Sequence, residues 1–123
     1  MQPLVIDTNE RGSLPESIER RCENHRPTIP VARQRLVVGD YICGEVCVEA
    51  KTIADFIDSM RNGHLWRQLD NMDANYQQFA VVVWGDIGAH LRQLKARGST
   101  KATYGRIVKE LNGGLARVVA DFG

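Results

Sequence analysis

At 123 residues the chain has the length of one domain and buries enough surface to fold without disulfide or metal staples. Sixteen Lys and Arg against fifteen Asp and Glu leave a formal net charge of +1, which excludes recognition of nucleic acid by bulk charge, so such a partner must be met by a local patch. The 43% hydrophobic and 25% charged fractions are ordinary for a globular protein. Three cysteines, Cys22, Cys43 and Cys47, are odd in number and lack zinc-ligand spacing, so reduced thiols are expected. The longest apolar run, residues 79–84, is far too short to cross a bilayer. The N-terminus lacks the basic segment, apolar core and cleavage site of a signal peptide, and a soluble intracellular location is expected.

Leu4, Val5 and Ile6 predict a short buried strand that delivers Asp7 to its C-terminal end. Ser13 is the expected cap of a following helix with apolar positions Leu14, Ile18 and Cys22, which the two prolines of residues 24–30 interrupt. Arg35 to Val38 reads as a strand, and Gly39 as a turn. From Asp40 to Lys51, β-branched and aromatic residues flank Gly44-Glu45, the pattern of a hairpin closed by a two-residue type II′ turn.

Ile53, Phe56, Ile57 and Met60 form an i, i+3, i+4, i+7 stripe, and Leu65, Leu69, Met72 and Tyr76 continue it after a break at Asn62-Gly63, so two consecutive amphipathic helices are expected. The run Phe79 to Trp84 is apolar throughout, as in a central strand covered on both faces. Ile87, Leu91 and Leu94 predict a helix ending near Gly98, and Tyr104, Ile107, Val108 and Leu111 another after the capping candidates Ser99 and Thr100. This order implies an α/β fold, a central mixed β-sheet flanked by helices.

With Gly44 and Glu45 as the turn, Cys43 opposes Val46, Ile42 opposes Cys47, Tyr41 opposes Val48, and Asp40 opposes Glu49. Two carboxylates then face each other roughly 5 Å apart, an arrangement that destabilises a sheet unless a cation intervenes. Alternation puts Glu49 and Lys51 on one face and Ala50 on the other. Asp40, Glu49 and Lys51 thus converge, and hard oxygen ligands with open positions suit Mg²⁺ or Mn²⁺. Such an ion polarises a phosphodiester, while a neighbouring ammonium orients the nucleophile or offsets charge on phosphate. The bland alternative is a surface hairpin with an ordinary Glu-Lys pair. Asp7 and Glu10 add acids at a strand end if the first strand lies beside the hairpin, where α/β sheets place their sites. Their alternatives are a turn-forming Asx residue and a solvated loop charge.

The segments V-I-D-T-N-E from Val5, V-G-D-Y from Val38, and V-C-V-E-A-K-T-I-A-D-F-I-D-S-M-R-N-G-H-L-W-R-Q from Val46 resemble the nuclease domain of the XPF/Hef family of structure-specific endonucleases. That family is a branch of the PD-(D/E)XK nuclease superfamily, which implies a restriction-endonuclease-like fold. The likeness runs in order from Val5 to about Trp84, and G-L-A-R-V-V-A-D-F-G near the end also resembles the family. It makes Asp7, Glu10, Asp40, Glu49 and Lys51 the catalytic positions, with Asp7, Asp40 and Glu49 as metal ligands, and Asp55 the last acid of the E-R-K-x-x-x-D signature. Gly63, Leu65 and Gln68 match the G-R-L-x-x-Q segment. The chain departs at Ala50 and His64, each in place of a family Arg, and at Asn9, where an Arg usually precedes the first Glu.

Asp55 has a structural alternative, a capping box with Thr52 as N-cap. His64, Arg67, Gln68 and Arg61 are the candidate nucleic-acid contacts. His64 donates to phosphate or ends a loop, and Trp66 packs rather than stacks on a base. Arg61, Arg67, Lys95, Arg97, Lys101, Arg106 and Lys109 form a phosphate-binding rim or a solvated surface.

The resemblance implies a metal-dependent endonuclease acting on branched, flapped or forked DNA in repair or recombination. The residues alone support phosphodiester hydrolysis and do not separate DNA from RNA. The alternative is a non-catalytic DNA-binding or scaffold subunit, since the family includes pseudo-nucleases paired with active partners. A homodimer or a paired nuclease-family subunit is expected, with Leu111, Leu115, Val118 and Val119 as apolar surface. The expected organisation is one nuclease domain over residues 1–123, cytoplasmic in a prokaryote or nuclear in a eukaryote. The family sheet has a further strand beyond Gly123, so the chain is expected to be either a fragment or a minimal version completed by a partner.

Overall fold

The computed structural model describes residues 2–123. Along the chain run β1 (Leu4–Asp7), α1 (Ser13–Asn24), β2 (Val31–Gln34), β3 (Tyr41–Cys43), β4 (Val46–Thr52), α2 (Ile53–Arg61), α3 (His64–Asn75), β5 (Gln78–Trp84), α4 (Ile87–Ala96) and α5 (Tyr104–Phe122). The strands form one sheet in the order β2-β1-β3-β4-β5. β1 is parallel to β2 and antiparallel to β3, and β3 is antiparallel to β4, so the sheet is mixed as expected. No helix among the described residues is long and apolar enough to cross a membrane.

The chain divides into two compact units. The first comprises the described residues up to Ala50 with Asp70–Val81. Its core contains Ile6, Pro15, Tyr41, Cys47 and Met72. The hairpin has the expected register, with Tyr41 opposite Val48, Ile42 opposite Cys47 and Cys43 opposite Val46. Gly44 takes φ +60° while Glu45 does not enter positive φ, as a type II′ turn requires.

Three expectations fail in this unit. β2 is Val31–Gln34 rather than Arg35–Val38, because β1 pairs with the earlier residues and the Leu36 N–H goes to the Asp7 carboxylate instead of a ladder. α1 begins after Gly12 with no side-chain cap, so Ser13 is its first residue and not its N-cap. The hairpin ladder stops at Tyr41–Val48. Gly39, at φ +82° and close against Cys47, turns the chain there, and Asp40 lies outside the regular pairing with Glu49.

The second unit comprises Lys51–Leu69 and Val82–Gly123. The Thr52 hydroxyl accepts from the Asp55 N–H, and α2 starts there as expected. α5 packs against α2 and α4. Ile53, Ile57 and Ile107 form a buried cluster joined by Val83, Ile87, Leu91 and Leu94, and Phe56, Leu65 and Leu69 are fully buried. Burying each such side chain contributes about 1.5–3 kcal/mol relative to exposure. A Cβ on Gly114 of α5 would lie 2.8 Å from Phe56 Cε1 and 2.5 Å from Met60 Sδ, so glycine sets the close approach of α5 to α2. The cap of α5 is Thr103, not Ser99 or Thr100.

β5 also departs from expectation. It stands at the end of the strand order, and Gln78, Ala80, Val82 and Trp84 alternate as its exposed residues. An unbroken apolar run does not count the strands beside it, and β5 has a neighbour on one side only among the described residues.

Candidate active site

The acids of the first unit are assembled by the backbone before any side chain is considered. β1 ends at Asp7, whose N–H donates to the Asp40 carbonyl at 2.8 Å, and the Glu10 N–H donates back to the Asp7 carbonyl at 3.0 Å. Asp7, Glu10 and Asp40 therefore belong to one patch although 33 positions separate the first from the last. The Asp40 N–H donates to the Val48 carbonyl at 2.9 Å, tying this patch to β4.

Each carboxylate has a defined surrounding. Asp7 is buried, and its Oδ1 accepts from the Leu36 N–H at 2.9 Å. Asp40 Oδ2 accepts from the Ala50 N–H at 2.8 Å. Glu10 Oε2 accepts from the Tyr41 hydroxyl at 2.9 Å. Along β4 the buried positions alternate as Cys47, Glu49 and Lys51, so Glu49 and Lys51 follow each other on one face. Ala50 lies between them on the opposite face.

Burial and neighbouring acids act on Glu10. Partial burial raises the Glu10 carboxyl above its ordinary value, the Tyr41 hydroxyl opposes this, and Asp40 and Asp7 add to the rise by charge, with Asp40 also sharing a hydrogen bond. Burial first, then Glu10, pushes the Tyr41 hydroxyl up. The Cys47 thiol is pushed up to about 11 by burial and by Glu49 and Asp40, which leaves it an inert neutral group at neutral pH.

Among the described residues no three His, Cys, Asp or Glu side chains close on one point as a metal cage. The donor set is nevertheless the kind a hard divalent cation uses. Mg²⁺ keeps several waters and is held by one or two carboxylates together with substrate phosphate, so it does not need an all-protein cage.

Two side chains matter here that the sequence pattern did not single out. Tyr41 reads as a strand residue, yet its hydroxyl aims Glu10. Arg33 donates to the carbonyls of Glu10 at 2.8 Å and Asp7 at 3.4 Å, and its guanidinium is anchored by the Glu19 carboxylate. An open cleft of about 380 Å³ adjoins them, lined by Thr8, Glu10, Arg11, Glu16 and Arg33 among others.

The remaining candidates lie in the second unit. Asp55 is exposed in the first turn of α2, and its N–H donates to the Thr52 hydroxyl at 3.1 Å, the Thr52 half of a capping box. His64 and Arg67 are exposed on α3 and Gln68 is half-buried. The His64 N–H donates to Asn62 Oδ1. Arg61 is engaged through Nε and Nη2 by Glu110, at 2.5 and 2.6 Å. Trp66 is half-buried with the Arg117 guanidinium 3.9 Å from its ring centroid, a packing role as expected.

The ERCC4 domain family matches residues 6–123. Among curated proteins, the chain is 36% identical over 98 residues to DNA repair endonuclease XPF of Cricetulus griseus, covering 78% of this chain and 10% of that protein. It is 37% identical over 76 residues to DNA repair protein rad16 of Schizosaccharomyces pombe, covering 60% and 8%. The chain thus spans about a tenth of the length of these relatives. Among solved structures, XPF from Aeropyrum pernix superimposes with a TM-score of 0.72 at 24% identity, covering 99% of this chain and 50% of that one. The same protein in complex with DNA gives 0.69 at 24% identity, covering 99% and 54%. At this identity the structural likeness shows the fold, the α/β nuclease fold expected from the motifs.

Proposed function

Because the chain belongs to the ERCC4 domain family, we propose that it is an endonuclease that hydrolyses DNA phosphodiester bonds with a divalent metal, Mg²⁺ or Mn²⁺. The observation that carries this reading is the assembly of Asp7, Glu10 and Asp40 through the backbone bonds of β1 and the Tyr41 hydroxyl. Like charges so placed destabilise the fold that holds them. A site that gathers them around the end of β1 gains from a cation.

In this reading Asp7, Asp40 and Glu49 hold the ion, which supplies Lewis-acid polarisation of the phosphodiester when bound. Glu10, aimed by Tyr41, accepts a proton from the attacking water, a task suited to a carboxyl of raised proton affinity. Lys51, the next residue after Glu49 on that face of β4, offsets charge developing on phosphate. Asp55 serves α2 more than the reaction. His64, Arg67 and Gln68 contact the DNA backbone, and branched, flapped or forked DNA in repair or recombination is the substrate class that the family suggests.

A relative solved with DNA supports a DNA partner. Pairing with a second copy or another family subunit would use α5, where Val119 is 69% exposed. One observation favours a second reading, a non-catalytic scaffold: the Asp40 carboxylate already accepts the Ala50 N–H and so has a partner without metal. Cleavage of labelled duplex, flap and fork DNA with Mg²⁺, Mn²⁺ or EDTA decides between them. Metal-dependent cleavage that Asp40→Asn abolishes supports the enzyme, whereas binding without cleavage on every substrate supports the scaffold.

A further inference from the structure

The second unit holds a cleft of about 560 Å³ beside the start of α5, lined by Arg61, Lys101, Arg106, Lys109, Glu110 and the apolar pair Leu94 and Ile107, among others. Its four cations and single acid give a local charge of +3, while the whole chain carries only +1. Positive charge is therefore concentrated here, as a local anion-binding patch requires.

The acid does not neutralise the free cations. Glu110 is held by Arg61 through two hydrogen bonds, and that contact is the main cause of the raised proton affinity of Arg61. Lys101, Arg106 and Lys109 are exposed and have no ion pair among the described residues. Arg106 and Lys109, three apart on α5, are neighbours on the helix surface and repel each other. An anion between them removes that cost.

We infer that this cleft binds the phosphodiester backbone of DNA, as a contact additional to His64, Arg67 and Gln68; the choice of DNA rests on the nuclease reading. Lys101 and Lys109 are flexible point charges and Arg106 is a planar fork that matches phosphate oxygens, and both kinds suit a phosphodiester. Leu94 and Ile107, which also line the cleft, belong to the packed cluster of this unit and fix the backbone that carries the cations. A basic patch of this kind positions a duplex without reading its bases.

The test is binding of a labelled DNA duplex over a range of KCl, in EDTA so that no cleavage intervenes, with the triple variant Lys101→Ala/Arg106→Ala/Lys109→Ala. Each lost phosphate contact lowers the slope of log affinity against log salt by about 0.9, so the slope should fall by about 2 to 3. Affinity at low salt should fall at least about tenfold. The double variant Lys101→Arg/Lys109→Arg keeps the charges and should bind as wild type does. An unchanged slope in a triple variant with native circular dichroism overturns the proposal, as does loss of inorganic polyphosphate binding with duplex binding intact. Cleavage by the wild type with Mn²⁺ is scored separately. If the wild type cleaves while the slope is unchanged, only the cleft proposal falls; if the slope falls and nothing cleaves, only the nuclease reading does.

Discussion

The Tyr41 hydroxyl on β3 donates at 2.9 Å to Glu10, in the segment between β1 and α1, and this bond helps to orient an acid that lies in no helix or strand. Tyr41→Phe keeps the buried ring and removes only the donor. We expect a loss of about 0.5–1.5 kcal/mol in stability. A fall in kcat with little change in KM should accompany it, as for a group acting in the transition state. Denaturant unfolding and steady-state cleavage measure the two, and an unaltered kcat would remove Glu10 from the proposed chemistry.

Glu10 also makes a prediction about pH. Burial, followed by the neighbouring Asp40 and Asp7, raises its proton affinity in the folded state above the ordinary value of 4.5, so the native chain binds more protons than the unfolded one between the two values. Stability contributed by the protonated acid is then present below about pH 4.5 and lost as pH rises through the folded value. Glu10→Gln has no such loss. Thermal melts in EDTA should show wild type and variant alike in acid, with the variant the more stable at neutral pH. A constant difference at all pH values would contradict this.

Much of the site was legible because it is local. Gly44-Glu45 between β-branched runs fixes the hairpin register, and alternation then puts Glu49 and Lys51 on one face of β4. Thr52 announces α2 by its cap. What failed depends on distant partners. Residues 31–38 contain two stretches able to form a strand, and only the capture of the Leu36 N–H by Asp7, 29 positions away, selects the earlier one. The pairing of Tyr41 with Glu10 spans 31 positions and leaves no periodic trace. The same holds for Gly39, which takes φ +82° against Cys47 just before the ladder begins at Tyr41.

If Asp7, Asp40 and Glu49 hold a cation, Mn²⁺ or Mg²⁺ should raise the melting temperature by mass action, by an amount that grows with concentration. At about 100 times the dissociation constant the gain is roughly 2.7 kcal/mol. Asp40→Asn should abolish the shift. An equal shift in both proteins would place the ion elsewhere.

Adjacent glycines of α5 should respond oppositely to alanine. Nothing lies within 4 Å of a Cβ built on Gly113, so Gly113→Ala should stabilise by about 0.5–1 kcal/mol through helix propensity. At Gly114 the added carbon meets the Phe56 ring at 2.8 Å, and overpacking of about 1–3 kcal/mol outweighs that gain. Chemical unfolding of both variants checks the sign; a stabilised Gly114→Ala would mean that α5 and α2 part easily.

The enzyme and scaffold readings separate at Lys51. Its position at a strand end suggests that alanine would leave the fold intact, but the side chain is only 8% exposed, so removing its alkyl stem also removes packing. Lys51→Met keeps most of that stem without the charge and is the cleaner variant. For an enzyme, an ammonium that acts on charge developing in the transition state is worth about 10²–10³ in rate, by analogy with a single oxyanion donor. We therefore expect Lys51→Met to fold, to retain the metal-induced rise in melting temperature, and to bind duplex with nearly wild-type affinity, since one phosphate contact among several changes mainly the salt dependence. Single-turnover cleavage should fall by about two orders of magnitude. A scaffold has no such rate to lose. If the wild type cleaves and Lys51→Met cleaves equally well, the endonuclease reading survives while the role given to Lys51 does not.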